Sequence, residues 1–421
     1  MIPELREWFN ASFAASKYEE LLRSVGSRSG VRPGFRLAET PVFVEKGLLD
    51  TMAHDGAVLT RQLLRDVPYL ESARRAIPAG YAVANEVGHP HFLTADFALV
   101  REANGELVPR LVEIQAFPSV FGFQSELCQA YRGAYALPGG LGVYLSGLTE
   151  ASYWELLRRT VVGGHDPKQV VLTEIDPLHQ KTLPDFKATA RQLGISVVDI
   201  ASLEGVGNRL HYRDDRGHLA PIKRIYNRAI ADELIARKVR LPFDLTRPWD
   251  VEWAGHPNWF FLISKFSIPW LSRRAKADSV VPPACYLDEF LEGEGRRELE
   301  AKGVPLPQAS SEAVYTELLL KPLFGFAGKG IQFDPSQGQL EAIPRESRRD
   351  YLVQQRMRFE PTIETPHGMT QAEFRILYLW PDGGELTAAL SLVRLGRGKM
   401  MGVDHNKDQE WVGASAAFFP G

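Results

Sequence analysis

Cysteine is scarce in this 421-residue chain: Cys128 and Cys285 are the only two, no Cys-x-x-Cys pair occurs, and the ten histidines are not clustered. That argues against a disulfide scaffold and a thiolate zinc site, and a reducing, cytoplasmic setting is expected. Charge of one sign is lacking too. With 49 Lys and Arg against 52 Asp and Glu, the formal net charge is −3, which gives no general attraction to nucleic acid or to anionic membranes. Long apolar runs are also missing. The most apolar stretch, PNWFFLISKFSIPWL, is broken by Lys265 and Pro269 and falls short of the ~20 residues that a membrane span needs. The first residues, MIPELREWFNASFAASKYEELL, carry charges every few positions and read as an amphipathic helix rather than a signal peptide. There is no internal repeat or low-complexity tract.

What remains is the composition of an ordinary folded protein, and at ~150 residues per domain its length suggests two or three units. Residues 1–90 have a helical pattern, as in LLDTMAHDGAVLTRQLLRD, where apolar positions recur three and four apart. Residues 91–150 open with TADFALVRE, an Asn-Gly turn and ELVPRLVEIQAF, the signature of a hairpin between two apolar strands. Residues 151–240 read as a small α/β unit: QVVLTEID, a helix through FKATARQLG and ISVVDI have the lengths of a strand, helix and parallel strand. A hairpin at Arg213–Gly217 and the strand IKRIYNR follow, and a boundary is placed near 240. Residues 241–421 combine helices with strands, among them LLLKP, YLVQQRM and a pair joined by Gly383-Gly384. The expected fold class is α+β.

Three constellations carry chemistry. In LLLKPLFGFAGKGI, Lys321 ends a strand and a loop with Gly325, Gly328, Lys329 and Gly330 follows. Glycines let backbone N–H groups approach phosphate oxygens while lysines supply point charges. It is not a Walker A loop, because position 323 is Leu and position 330 is Gly; an ordinary tight turn with surface lysines is the other reading. The second set is Asp96, Glu113 and Gln115. Glu113 and Gln115 are two apart and share a strand face, and Asp96 lies on the paired strand, so three oxygen donors suited to Mg²⁺ converge, unless the face is simply solvated. The third set is Glu373 and Arg375 on one strand and Arg394 on its partner. Guanidinium groups there grip an anionic oxygen or form plain ion pairs. In addition, Asn227 and Arg228 end a strand of the central unit, where an arginine binds a substrate carboxylate or a structural partner.

Together these pieces resemble the ATP-grasp superfamily of carboxylate–amine ligases in a circularly permuted order, with the Asp96 and Glu113-Ile114-Gln115 hairpin first. The order is similar to that of eukaryotic-type glutathione synthetase and, more distantly, glutathionylspermidine synthetase. The resemblance implies an ATP-grasp fold with an inserted α/β substrate domain, residues 91–150 supplying metal-binding strands and 241–421 the nucleotide region. It implies ATP and Mg²⁺ as cofactors, with Asp96, Glu113 and Gln115 on the metal. Lys265 and Lys321 would hold phosphates under the glycine loop, and Gln355, Arg356 and Met357 would meet adenine. Arg375, Arg394 and Lys329 would stabilise the transferring phosphoryl group. Ser119, in the segment VEIQAFPSVFG, would join Asn227 and Arg228 in binding substrate. The motif departs in three places: Gln115 stands for Asn, Gly325 for a loop Glu, and Thr94 for an Arg. The implied partners are a small carboxylate and an amine, with a homo-oligomer left open. The implied reaction is ADP-forming ligation through an acyl phosphate; nucleotide binding without ligation, or phosphotransfer in the same cleft, are the alternatives.

Overall fold

The computed structural model describes residues 1–421 except 103, 277, 278, 309, 326, 327, 329, 403–405 and 407. Its largest sheet draws strands from both ends of the chain. Leu107–Gln115, Phe92–Arg101, Gly368–Leu379, Thr387–Gly396 and Gly413–Pro420 lie side by side in that order, each antiparallel to the next. Val42–Phe43 adds in parallel to the last, and Pro361–Thr365 folds back on Gly368–Leu379.

Side-chain alternation decides what each face of this sheet does. Leu93, Ala95, Phe97 and Leu99 sink into a core beneath the helix Lys46–Arg65. That helix buries Leu49, Met52, Gly56, Leu59 and Leu63, three or four residues apart. A side chain at Gly56 would collide with the Tyr378 hydroxyl, which donates to the Ala53 carbonyl at 2.9 Å. On the opposite face Leu377, Leu379, Leu390 and Leu392 pack with Phe121, Leu127 and Tyr131 of the helix Phe121–Tyr135. Further along that same face the side chains are Arg375, Glu373, Arg394 and Asp96. One face therefore passes from apolar packing to charge.

A second sheet is wholly parallel, in the order Glu252–Ala254, Arg224–Asn227, Val170–Glu174 and Ser196–Asp199. The helix Leu183–Leu193 makes the crossover between its last two strands and ends at Gly194 with a left-handed φ of 72°. Its outer strand lies beyond residue 240, in three residues too short to show any period. A third sheet, antiparallel, orders Ala284–Tyr286, Tyr351–Gln355, Leu318–Pro322 and Gln332–Phe333. Cys285, Leu318, Leu320 and Val353 on one face pack with Leu287, Phe290 and Leu299 of the helices Leu287–Leu291 and Glu294–Ala301. The other face carries Leu319, Lys321, Leu352 and Gln354, and Lys321 reaches the edge strand of the large sheet. The class is α+β. Among the described residues no helix is long and apolar enough to cross a membrane.

Candidate active site

Pairing register brings the charged residues of the large sheet together. Asp96 lies opposite both Glu113 and Arg375 on its two neighbouring strands, and Glu373 lies opposite Arg394. Arg375 donates from Nε and Nη2 to the two oxygens of Asp96 at 2.6 Å each, and Arg394 donates to Asp96 and pairs with Glu373. Arg375 also lies 3.7 Å from Glu113 and donates to Ser119 Oγ at 3.3 Å. Burial alone would raise the Asp96 carboxyl; the two guanidinium groups outweigh it and hold it below the usual carboxylate range. Glu373 goes the other way. Burial, with the nearby Asp96 and Glu113 charges, lifts it to about 7 against the pull of Arg394.

Two lysines face this cluster from outside the sheet. The register slips between Asp96 and Phe97, so that Asp96 pairs with Glu113 but Phe97 with Leu111. This bulge leaves Val112 unmatched, and its carbonyl accepts from Lys321 Nζ at 3.4 Å. Burial draws the Lys321 ammonium down to about 8, with Glu113 opposing and Lys265 reinforcing the shift. Lys265 Nζ lies 3.9 Å from Glu113 and donates to the Gly325 carbonyl at 3.0 Å. The Gly325 N–H donates in turn to Asp232, on the helix Ala231–Ala236, whose carboxyl is raised chiefly by burial. Gly325, Gly328 and Gly330 have φ of 113°, 70° and 79°, where side-chain-bearing residues are strained. Lys329 lies outside the described residues.

Arg228 and Asn227 stand at the C-terminal edge of the parallel sheet. Arg228 is buried, with its guanidinium 5.2 Å from the Phe117 ring and 5.3 Å from the Phe186 ring. Its Nε and Nη1 have no hydrogen-bond partner, and neither do Asn227 Oδ1, the Tyr226 hydroxyl, Thr173 Oγ1 or Asp185 Oδ2. Buried polar atoms are normally paired, so a cluster of orphans is what a polar ligand completes. Burial raises Glu174 to about 7 and raises Asp185 as well, with Arg228 opposing both shifts. Phe117 and Ser119 share one loop, which joins the Arg228 cluster to Arg375. The loop ends at Val120 with φ of 52°, an unfavourable region for a β-branched residue and of the kind found near binding sites.

Some expected roles change. Asp96 is not placed to be a metal ligand, because three guanidinium N–H groups occupy its oxygens; it is the counter-ion of Arg375 and Arg394. Among the described residues no three His, Cys, Asp or Glu are grouped to hold a metal ion. Mg²⁺ that shares phosphate oxygens needs only one or two carboxylates, and Glu113, its side chain 19% exposed, fits that need with the half-buried Gln115 on the same face. The Gln355 and Arg356 amides donate to Pro283 and Glu317 carbonyls at 2.8 and 2.7 Å, so these two N–H groups are not available to a base. Arg356 pairs with Asp334 at 2.8 Å. Met357 follows the end of the strand. Glu174, Asp185 and Asp232 had no motif to mark them; only their strand-end and helix-start positions hinted at a role.

Neither protein-family models nor curated sequences give a match to this chain. Among solved structures it is similar to a glutathione synthetase-like effector from Globodera pallida, with a TM-score of 0.54 and 11% identity over 96% of each chain. This chain has a glutathione synthetase-like fold. At that identity the likeness is one of fold alone. A protein described as a gamma-glutamylcysteine synthetase, from Methylobacillus flagellatus, aligns over 88% of this chain and 87% of its own at 15% identity, with a TM-score of 0.39.

Proposed function

We propose that this glutathione synthetase-like chain is an ATP-grasp ligase, in permuted order, that joins a small carboxylate to an amine and releases ADP and phosphate. The observation that carries the reading is the convergence of Lys321, Lys265, Glu113 and Arg375 from four separate segments on one site. Two buried lysines beside carboxylates are poised for a polyanion that brings its own cations. Lys265 and Lys321 hold phosphates, and Lys265 and Asp232 pin the glycine loop that covers them. Glu113 and Gln115 would hold Mg²⁺, which neutralises phosphate charge when bound. Arg375 and Arg394, fixed by Asp96 and Glu373, stabilise charge on the transferring phosphoryl group, so positioning and electrostatics do the catalysis. Asn227 and Arg228 receive the substrate's anionic end, and Ser119 lies between that end and the phosphoryl site. No nucleophilic side chain is needed.

The test is substrate-dependent ADP release screened over acid and amine pairs. Glu113→Ala should abolish release while leaving the thermal transition in place; unchanged turnover in that variant would defeat the reading. Nucleotide binding without ligation is the second reading, and it draws on the engagement of Arg375 and Arg394 by Asp96. It predicts ATP binding with no amide product under any pair tested.

A further inference from the structure

The strand Arg224–Asn227 has a buried arginine at each end, and the two are treated oppositely. Arg228, just past the C-terminal end, has unpaired nitrogens; at the N-terminal end every nitrogen of Arg224 donates. Its Nε and Nη2 donate to the Val161 and Thr160 carbonyls, both at 3.1 Å, where the helix Glu150–Val161 ends. Nη1 donates to Glu252 on the neighbouring strand at 2.6 Å, and Nη2 also donates to Asp382 at 2.7 Å. Asp382 belongs to the large sheet: it sits in the turn between Gly368–Leu379 and Thr387–Gly396, closed by the Gly384 N–H on the Pro381 carbonyl. A third segment joins here. His91, just before Phe92–Arg101, accepts the Gly255 N–H on Nδ1 at 3.4 Å, so its Nε2 carries the proton that it gives to Asp382 at 2.9 Å. That hydrogen bond and the Arg224 charge hold Asp382 below the usual carboxylate range, so the link is ionic at ordinary pH. The three residues stand at one end of the three strands that lead to site residues: Arg224 to Arg228, His91 to Asp96, and Asp382 to Arg375. A core that holds Leu172 and Tyr226 with Phe92 and Leu377 also joins the two sheets. Apolar contacts are non-directional and set how far apart the sheets lie; a guanidinium fork on a carboxylate sets direction.

We propose that Arg224 is a positioning residue for the ligation: through Asp382 it fixes the orientation of the parallel sheet on the large sheet, and so the alignment of a carboxylate at Arg228 with the phosphoryl group at Arg375. This rests on the ligase reading given above. Arg224 itself touches neither substrate, because its donors are spent at the opposite end of the strand from Arg228.

The test uses Asp382→Ala, whose side chain is 52% exposed and whose loss the fold tolerates, and Arg224→Lys, which keeps the charge but cannot span the same partners. In both, kcat for amide formation should fall about tenfold to about hundredfold, the loss expected when reacting atoms are misplaced by about 1 Å. KM for the carboxylate and ATP affinity should hold, since Arg228 and Lys321 keep their own surroundings. A second readout needs no activity. Cys128 and Cys285 are buried, so spin labels go on Thr51→Cys, on the helix over the large sheet, and on Ser202→Cys, beside the parallel sheet, both exposed. Their distance distribution should be narrow in the otherwise native protein and broader or shifted with Asp382→Ala. Full kcat in both variants, a raised carboxylate KM at unchanged kcat, or an unchanged distance distribution would overturn the role of Arg224 alone. A wild type that forms no amide from any acid and amine pair would instead overturn the ligase reading.

Discussion

Arg375 and Asp96 face each other across neighbouring strands and join at two points, Nε and Nη2 each 2.6 Å from a carboxylate oxygen. Asp96 is 1% exposed, so this pair is fixed by the sheet. Removing one partner of a buried pair costs about 3–5 kcal/mol, because the other is left charged and unpaired. Asp96→Asn should therefore lower the urea-unfolding free energy by an amount in that range. A loss below about 1 kcal/mol would mean that Arg375 and Arg394 re-pair with Glu113 and Glu373 and that Asp96 is not their anchor.

Lys321 makes a pH prediction with two signs. Its folded pKa is about 8 against an ordinary 10.5, so its charge is lost as pH rises through about 8. Nucleotide affinity should fall above that pH in the wild type and hold steady in Lys321→Arg, which stays charged. Stability moves oppositely. Between about 8 and 10.5 the folded state holds fewer protons than the unfolded chain, so this residue makes stability rise with pH in that window. Binding isotherms at pH 7 and 9.5 check the first sign, and urea midpoints at the same pH values check the second.

Glu174 gives a separate window. Burial raises it to about 7 from 4.5, so the folded state binds the extra proton and this group's contribution to stability is lost as pH rises from about 4.5 to 7. Glu174→Gln should flatten that part of the stability curve and be the more stable protein at pH 8, by an amount of the order of 1–3 kcal/mol. Urea unfolding of both proteins at pH 5 and 8 decides it; identical pH slopes would contradict the burial argument.

Arg228 lies between Phe117 and Phe186 with Nε and Nη1 unpaired. Arg228→Met keeps much of the packing and removes the charge. It should cost little stability, within about 1.5 kcal/mol, while raising KM for the carboxylate substrate at least about tenfold and leaving ATP affinity unchanged. A stability loss above about 3 kcal/mol with an unchanged KM would make Arg228 the structural counter-ion of Glu174 and Asp185.

Much of the frame was legible in residues that are near one another in the chain. Asn104-Gly105 announced the hairpin that carries Asp96 and Glu113, and the apolar runs at 170 and 196 announced the parallel pair. Spacing of two also put Glu373 and Arg375 on one face correctly. What could not be read is what each side chain meets. Asp96 offers oxygens to a metal or to an arginine equally well in sequence; register decided for the arginines. The bulge that turns the Val112 carbonyl toward Lys321 leaves no mark in a run of apolar residues. Glu252–Ala254 is too short for a period, and Asp232 holds Gly325 across a distance in sequence that no local pattern spans.

The central claim is that Lys321 and Glu113, from different sheets, serve one Mg²⁺–ATP site. The most direct measurement is ATP binding by calorimetry, with and without Mg²⁺, for the wild type, Lys321→Ala and Glu113→Ala. The account predicts Mg²⁺-dependent binding that both substitutions weaken at least about tenfold, with removal of Mg²⁺ by chelation reproducing the Glu113→Ala loss. Wild-type protein that binds no ATP at millimolar concentration, or binding that neither substitution alters, would contradict it.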